Sequence, residues 1–252
     1  MVTSSFPRTR EDNIVIDPIV DAILSVDLLR TFMSGGGLAV GDADAIVLPG
    51  INALYLFAID RRVAIRDVHC RGHISLASSF VGISKFECLT YEEVRKWTKM
   101  SHKIAAHALF SLRELKAYLR KVEFQVLWPD HAIEGTPESR VVPEIEQIST
   151  WVWNKGNRPH RDSYSAFKDN GGDSTRLDLQ LRCRHVKRVF VWGLAFDYCV
   201  GFTAIDAASL GFEVFVITDL CRSVSTDSEK QMVDRLMATP NVHLIHSTQM
   251  AA

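Results

Sequence analysis

The strongest constraint on what this chain can fold into is a rhythm: short apolar, largely β-branched runs recur along it, separated by stretches with helical spacing. Ala22 to Val26, Val63 to Ile65, Trp151 to Trp153, Val189 to Trp192 and Val214 to Ile217 are five such runs, and Val242 to Ile245 is a weaker sixth. None alternates apolar with polar residues as a strand with one wet face would, so both faces must be covered. Between them, about Asp42 to Ile59, Thr175 to Arg184, Val200 to Leu210 (closed by Gly211) and Ser228 to Met237 carry the helical period. Strands that alternate with helices in this way predict an α/β chain: a three-layer α/β/α fold around a doubly wound, mainly parallel six-stranded sheet.

The chain of 252 residues suits a single domain spanning 1–252. Residues 80–121 are too long for a simple connection. Val94, Trp97, Ile104, Leu109, Leu112, Leu115 and Leu119 fall mostly at helical spacing, which predicts one or two amphipathic helices inserted at the surface. The same stripe would also serve a contact in a homo-oligomer. Residues 1–20 read as a loosely attached extension.

Hydrophobic residues make up 47% and the formal net charge is -1, which leaves no basic footprint for nucleic acid and points to a small-molecule partner. No apolar run reaches the roughly 20 residues of a membrane span, and the opening residues lack a signal-peptide core. Cys70, Cys88, Cys183, Cys199 and Cys221 are odd in number and without CxxC spacing, so they predict reduced thiols and a cytoplasmic protein.

In open parallel sheets, ligands bind beyond the carboxyl ends of the strands. Four strand exits here carry reactive side chains: Asp27, then Asp67 with His69, then Lys155, then the turn Gly193-Leu194-Ala195 leading to Cys199. Cys199 falls where a strand turns into a helix, where free amides and the helix dipole would lower its pKa and, with the Ala195 amide, could receive an oxyanion. By position alone the reading as a small core residue, which most free cysteines are, is the stronger one. Asp27 is a candidate base or a helix cap, and Lys155 a solvated lysine or a partner for both. Asp67 and His69, two residues apart on an extended segment, can reach one divalent ion with His131 closing the set. His73 could be a ligand, the partner of a ligand or a loop residue. Oxygen and nitrogen ligands suit zinc, manganese or iron(II).

The segments ILSVDLLRTFMSGGGLAV, DVHCRGHIS, LWPDHAIEGTPES, KG followed by DSYSAF, and GLAFDYCVGFTAIDAASLGFEVFVITD occur in order from Ile23 to Asp219. In these the chain resembles the nicotinamidases among the isochorismatase-like cysteine hydrolases. The resemblance implies the isochorismatase-like hydrolase fold and a catalytic triad of Asp27, Lys155 and Cys199. It implies an oxyanion hole from the Ala195 and Cys199 amides, and one divalent ion, zinc first, on Asp67, His69 and His131, with His73 close by. Phe32 and Trp128 would hold a nicotinamide ring with Tyr164 nearby, and Leu194-Ala195 would be a cis peptide. The implied reaction is hydrolysis of nicotinamide to nicotinate and ammonia through a thioester, a step of NAD salvage in pyridine nucleotide biosynthesis. The sequence departs from the family pattern at Leu29, Val68, Ala132 and Phe196. Val68 and Phe196 are expected to border the pocket, which keeps two alternatives open: a related amidase for another heteroaromatic or carbamoyl substrate, and a non-catalytic ligand-binding homologue.

Overall fold

The computed structural model describes residues 13–252. Six strands form one parallel sheet: β1 (Asp21–Val26), β2 (Arg62–Asp67), β3 (Trp151–Lys155), β4 (Arg188–Leu194), β5 (Glu213–Arg222) and β6 (Val242–Ile245). Each predicted apolar run lies within one of them. Their order across the sheet is β3-β2-β1-β4-β5-β6, every neighbouring pair parallel. The chain builds outward from β1 to β3 and then restarts on the other side of β1. Connections leaving β1 and β4 therefore part in opposite directions and open a crevice at their carboxyl ends.

All six residues of β1 are buried, as are all but the first of β4, as strands covered on both faces require. On one face Phe190 stacks on Phe215 (ring centroids 4.7 Å apart) and meets the edge of Phe57 (5.0 Å). The helix α1 (Val47–Leu54) lies over the same face with Gly50 flat against the Trp192 indole. The predicted helix Asp42 to Ile59 is shorter in the structure: a 3-10 turn, Ala43–Ile46, leads into α1, which stops at Leu54. Periodicity overstated it because Phe57, in the turn that follows, is buried like a helix residue. Along the rest of the chain run α2 (Leu112–Val122), α3 (Leu177–Arg182), α4 (Gly201–Ser209) and α5 (Thr226–Met237). Helix α3 begins later than predicted because Arg176 is left-handed (φ 70°), which a helix interior does not tolerate.

Within residues 80–121, helical spacing is realised only at a single turn, Tyr91–Val94, and at α2; both start with capping boxes, Thr90 with Glu93 and Ser111 with Glu114. The rest is turns and a short strand, Cys88–Thr90, antiparallel to Phe124–Val126. Leu109, expected on the apolar stripe, is exposed. Val94, Leu115 and Leu119 instead join Ile74, Phe80 and Leu127 in a small apolar cluster separate from the main core. Of the expected extension, residues 1–12 lie outside the described residues, while Ile14–Val15 pairs in parallel with Met250–Ala251. Among the described residues no helix is long and apolar enough to cross a membrane.

Candidate active site

Four strand exits converge at the switch point. Asp27 follows β1 in a left-handed conformation (φ 52°) that aspartate accepts more readily than most residues. Its amide still pairs with the Ile65 carbonyl (3.0 Å), and its Oδ1 accepts the Asp67 amide (2.9 Å), which fixes the carboxylate across two strand ends. Lys155 closes β3 directly opposite Asp67 of β2, so parallel register brings amine and carboxylate together. The Lys155 Nζ lies 3.0 Å from Asp27 Oδ2 and 3.2 Å from Asp67 Oδ1; it donates to the Ser163 carbonyl (2.9 Å) and reaches Cys199 Sγ at 3.4 Å. Only 1% of Lys155 is exposed.

Cys199 sits in a π-helical turn, Phe196–Val200, between β4 and α4. The Ala195 carbonyl, which follows a cis Leu194-Ala195 bond, accepts the amides of Tyr198 (3.0 Å) and Val200 (3.1 Å). The thiol faces the Lys155 amine, which also lies against the Asp27 carboxylate.

Electrostatics here correct one expectation. Burial pushes the Cys199 thiol well above its ordinary value; Lys155 opposes this, and Asp27 and Asp67 add to it. Desolvation and two carboxylates outweigh what the turn was expected to contribute, so the resting thiol is neutral and needs a base. Burial likewise raises Asp27, with Lys155 opposing and Asp67 assisting, to about 6, a value matched to proton transfer near neutrality. Burial alone would lower Lys155, but Asp27 and Asp67 outweigh it and hold the amine charged.

Beside this group, Asp67, His69 and His131 are all buried and bring their ligand atoms within 4.8 Å of one another. His69 Nδ1 faces the Gly156 carbonyl (2.9 Å) and His131 Nδ1 the Pro129 carbonyl (2.8 Å). A carbonyl can only accept, so both rings carry a proton on Nδ1 and turn Nε2 inward, where it would ligate an ion that displaces any proton there. Those Nε2 atoms lie 3.0 and 3.7 Å from Asp67 Oδ2. One carboxylate and two imidazoles with converging lone pairs and backbone-held tautomers fit a divalent ion. His73 stacks on His69 (centroids 4.3 Å apart), with Nδ1 on Ser75 Oγ (2.8 Å) and Nε2 on the Arg161 carbonyl (3.0 Å). Both its nitrogens are engaged, which sets it beside the cluster.

Both groups open onto one cleft, with room of about 90 Å³ for the centre of a water molecule, enough for one small ring. Phe32, Trp128 and Tyr164 line it as anticipated, together with Asp67, His69, His131, Ala195 and Cys199. Val68 and Phe196, expected at its border, are buried and not part of its wall. Both belong to the turn geometry next to reactive residues, and neighbours along an extended or tightly turned chain point to different sides. The wall also contains Asp162, Tyr198, Val224 and the loop from Leu38 to Gly41, which sequence reasoning did not single out. Asp162, Tyr198 and Leu38 to Val40 stood inside the quoted segments, so the signal was present; Val224 carried none.

The chain resembles known proteins over most of its length. The family model described as the isochorismatase domain matches residues 21–249. The Escherichia coli nicotinamidase is 35% identical over 209 residues, covering 81% of this chain and 84% of that protein. A nicotinamidase and pyrazinamidase from Acinetobacter baumanii superposes with a TM-score of 0.76 at 30% identity, covering 92% of this chain and 99% of the other. PnC1 from L. infantum, solved in complex with nicotinate, has a TM-score of 0.71 at 26% identity and covers 95% of this chain and 99% of its own. The chain belongs to the isochorismatase family, within its nicotinamidases.

Proposed function

We propose that the chain hydrolyses nicotinamide to nicotinate and ammonia, with Cys199 as nucleophile. The observation that carries this reading is the meeting of Asp27, Lys155 and Cys199 around one ammonium, at 3.0 and 3.4 Å, on the floor of an aromatic cleft. The nicotinamidases that resemble the chain supply the substrate.

Asp27 takes the thiol proton and the thiolate attacks the carboxamide carbon. The Ala195 and Cys199 amides receive the oxyanion. Asp27 returns the proton to the departing nitrogen, ammonia leaves and a thioester remains. Asp27 then removes a proton from water, the resulting hydroxide attacks the thioester, and the expelled thiolate recovers that proton. Lys155 keeps Asp27 in place and compensates the negative charge that passes between oxygen and sulfur. Asp67, His69 and His131 would hold a divalent ion, for which we assign zinc ahead of manganese or iron(II), and it would supply a Lewis-acid anchor for the ring nitrogen. Phe32 and Trp128 hold the ring between them with Tyr164 nearby, and His73 supports His69 by stacking. Five free thiols fit a reducing compartment, and we place the protein in the cytoplasm.

The test is ammonia release from nicotinamide by the purified protein, with Cys199→Ala and a chelated sample alongside. Release by the wild type and none by Cys199→Ala is expected; equal release by both would refute the assignment of the nucleophile.

A further inference from the structure

Asp162 is a charged wall residue that the proposed chemistry leaves unused. It is 2% exposed and lines the cleft, with its carboxylate within 4.8 Å of the His69 and His73 ring nitrogens. Its Oδ1 accepts the Ser163 amide and its Oδ2 the Gln125 side-chain amide, both at 2.8 Å. Gln125, itself buried, accepts the Tyr118 hydroxyl (2.5 Å), and Asn170 reaches that hydroxyl (3.4 Å) while its own amide bonds the Asp162 carbonyl (2.8 Å). Tyr118 belongs to α2 and Gln125 to the strand that follows, so the segment after residue 80 reaches the cleft through this network. Among the described residues no lysine or arginine pairs with Asp162.

The network fixes the carboxylate through dipoles, and the titratable side chains within reach of it are the His69 and His73 rings. Its field reaches the cleft: burial first, and then the charge of Asp162, pushes the neighbouring Tyr164 hydroxyl well above its ordinary value. A fixed negative charge in a dry wall acts on whatever charge the bound molecule carries. In the reaction proposed above the substrate is neutral and the product is an anion of almost the same shape. Aromatic contacts cannot tell the two apart, whereas a buried carboxylate can.

We infer that Asp162 is a specificity-determining residue that disfavours the carboxylate product relative to the neutral amide and so keeps the cleft from being held by its own product. This rests on the amidase reading above. The readout is the ratio of the inhibition constant of nicotinate to the KM of nicotinamide, measured on the metal-loaded full chain. Asp162→Asn removes the charge at nearly constant size and gives up one accepted hydrogen bond, because its amide nitrogen faces a donor there; the ratio should fall by about tenfold, the scale of one unfavourable charge pair relieved in a partly screened site. Asp162→Glu should keep the ratio near wild type, and Tyr118→Phe, which loosens Gln125, should lower it by less than the asparagine does.

An unchanged ratio in Asp162→Asn overturns the inference. So does loss of the bound ion from that variant, since the carboxylate lies within 4.8 Å of the His69 and His73 nitrogens and would then be a ligand. Fluorescence titration of the cleft tryptophan with nicotinate and with nicotinamide needs no turnover. If the wild type released no ammonia, the function reading would fail, while the titration would still show whether Asp162→Asn gains selectively for the acid.

Discussion

Gly156 is the residue on which triad and ion site lean together, and Gly156→Ala is the most informative single change. It follows Lys155, has φ +72°, and its carbonyl holds the His69 tautomer. A Cβ there would stand 2.3 Å from Asp67 Oδ1 and 2.9 Å from His69 Cε1. Real contacts are no closer than 3.0 Å and ordinarily 3.4 Å, so the carboxylate would have to retreat by about 0.7 to 1.1 Å. It has nowhere to go, because its other oxygen faces His69 Nε2 at 3.0 Å and Oδ1 faces Lys155 at 3.2 Å. Misplacement of about 1 Å in a catalytic constellation costs on the order of 100-fold in rate. The left-handed backbone adds about 1–2 kcal/mol of instability for alanine, and the crowding about 1–3 kcal/mol more. The assay is kcat/KM for ammonia release, with bound metal measured after dialysis and stability by urea denaturation. Gly156→Asn separates the two effects, since asparagine tolerates the backbone but carries the same Cβ, and it should lose as much activity while losing less stability. A Gly156→Ala enzyme within about threefold of wild-type kcat/KM, with metal retained, would show that Asp67 is not held as tightly as these distances require.

Other expectations concern the frame around the site. At Gly50 an added Cβ would fall 1.9 Å from Trp192 Cη2, so Gly50→Ala should destabilise by about 1–2 kcal/mol even though alanine is the better helix former; Trp192→Phe in that background should recover part of the loss in a double-mutant cycle. Ser111→Ala removes the cap of α2 and should cost about 1 kcal/mol in urea denaturation at neutral pH. The Ser111 amide and hydroxyl hold the Glu114 carboxyl below its ordinary value, so that stabilisation is complete above the ordinary carboxylate range and is lost as pH falls through the lowered one. The gap between wild type and Ser111→Ala should therefore narrow in acid. Brief iodoacetamide treatment followed by mass spectrometry should mark the exposed Cys88 and Cys183 and spare Cys221, whose thiol burial pushes up to about 12; equal labelling of all three would contradict the packing behind β5.

Much of the architecture was legible because it is written locally. A run such as Val189 to Trp192 has no polar face, so it can only be a strand covered on both sides, and Asp27, Asp67, Lys155 and Cys199 stand out because they break such runs at their ends. Helix lengths were less legible, as α1 shows: a buried turn residue like Phe57 keeps the apolar period going after the hydrogen bonds have stopped. In the segment from residue 80 to 121 the helical period is realised at Tyr91–Val94 and α2, and elsewhere side chains in turns fill the small core as well as those on a helix.

The residues themselves determined the strands, the layer arrangement and which reactive groups leave each strand, because burial on two faces and the exit position are properties of short segments. Only the tertiary structure decided that one ammonium serves Asp27, Asp67 and Cys199, that the thiol rests neutral, that Val68 and Phe196 turn away from the cleft and that Asp162 enters its wall. Each of these depends on distances of a few ångströms between segments 40 or more residues apart, or on which way a turn rotates a side chain. In a dry interior such distances set the energy of every charge, and no local pattern contains them.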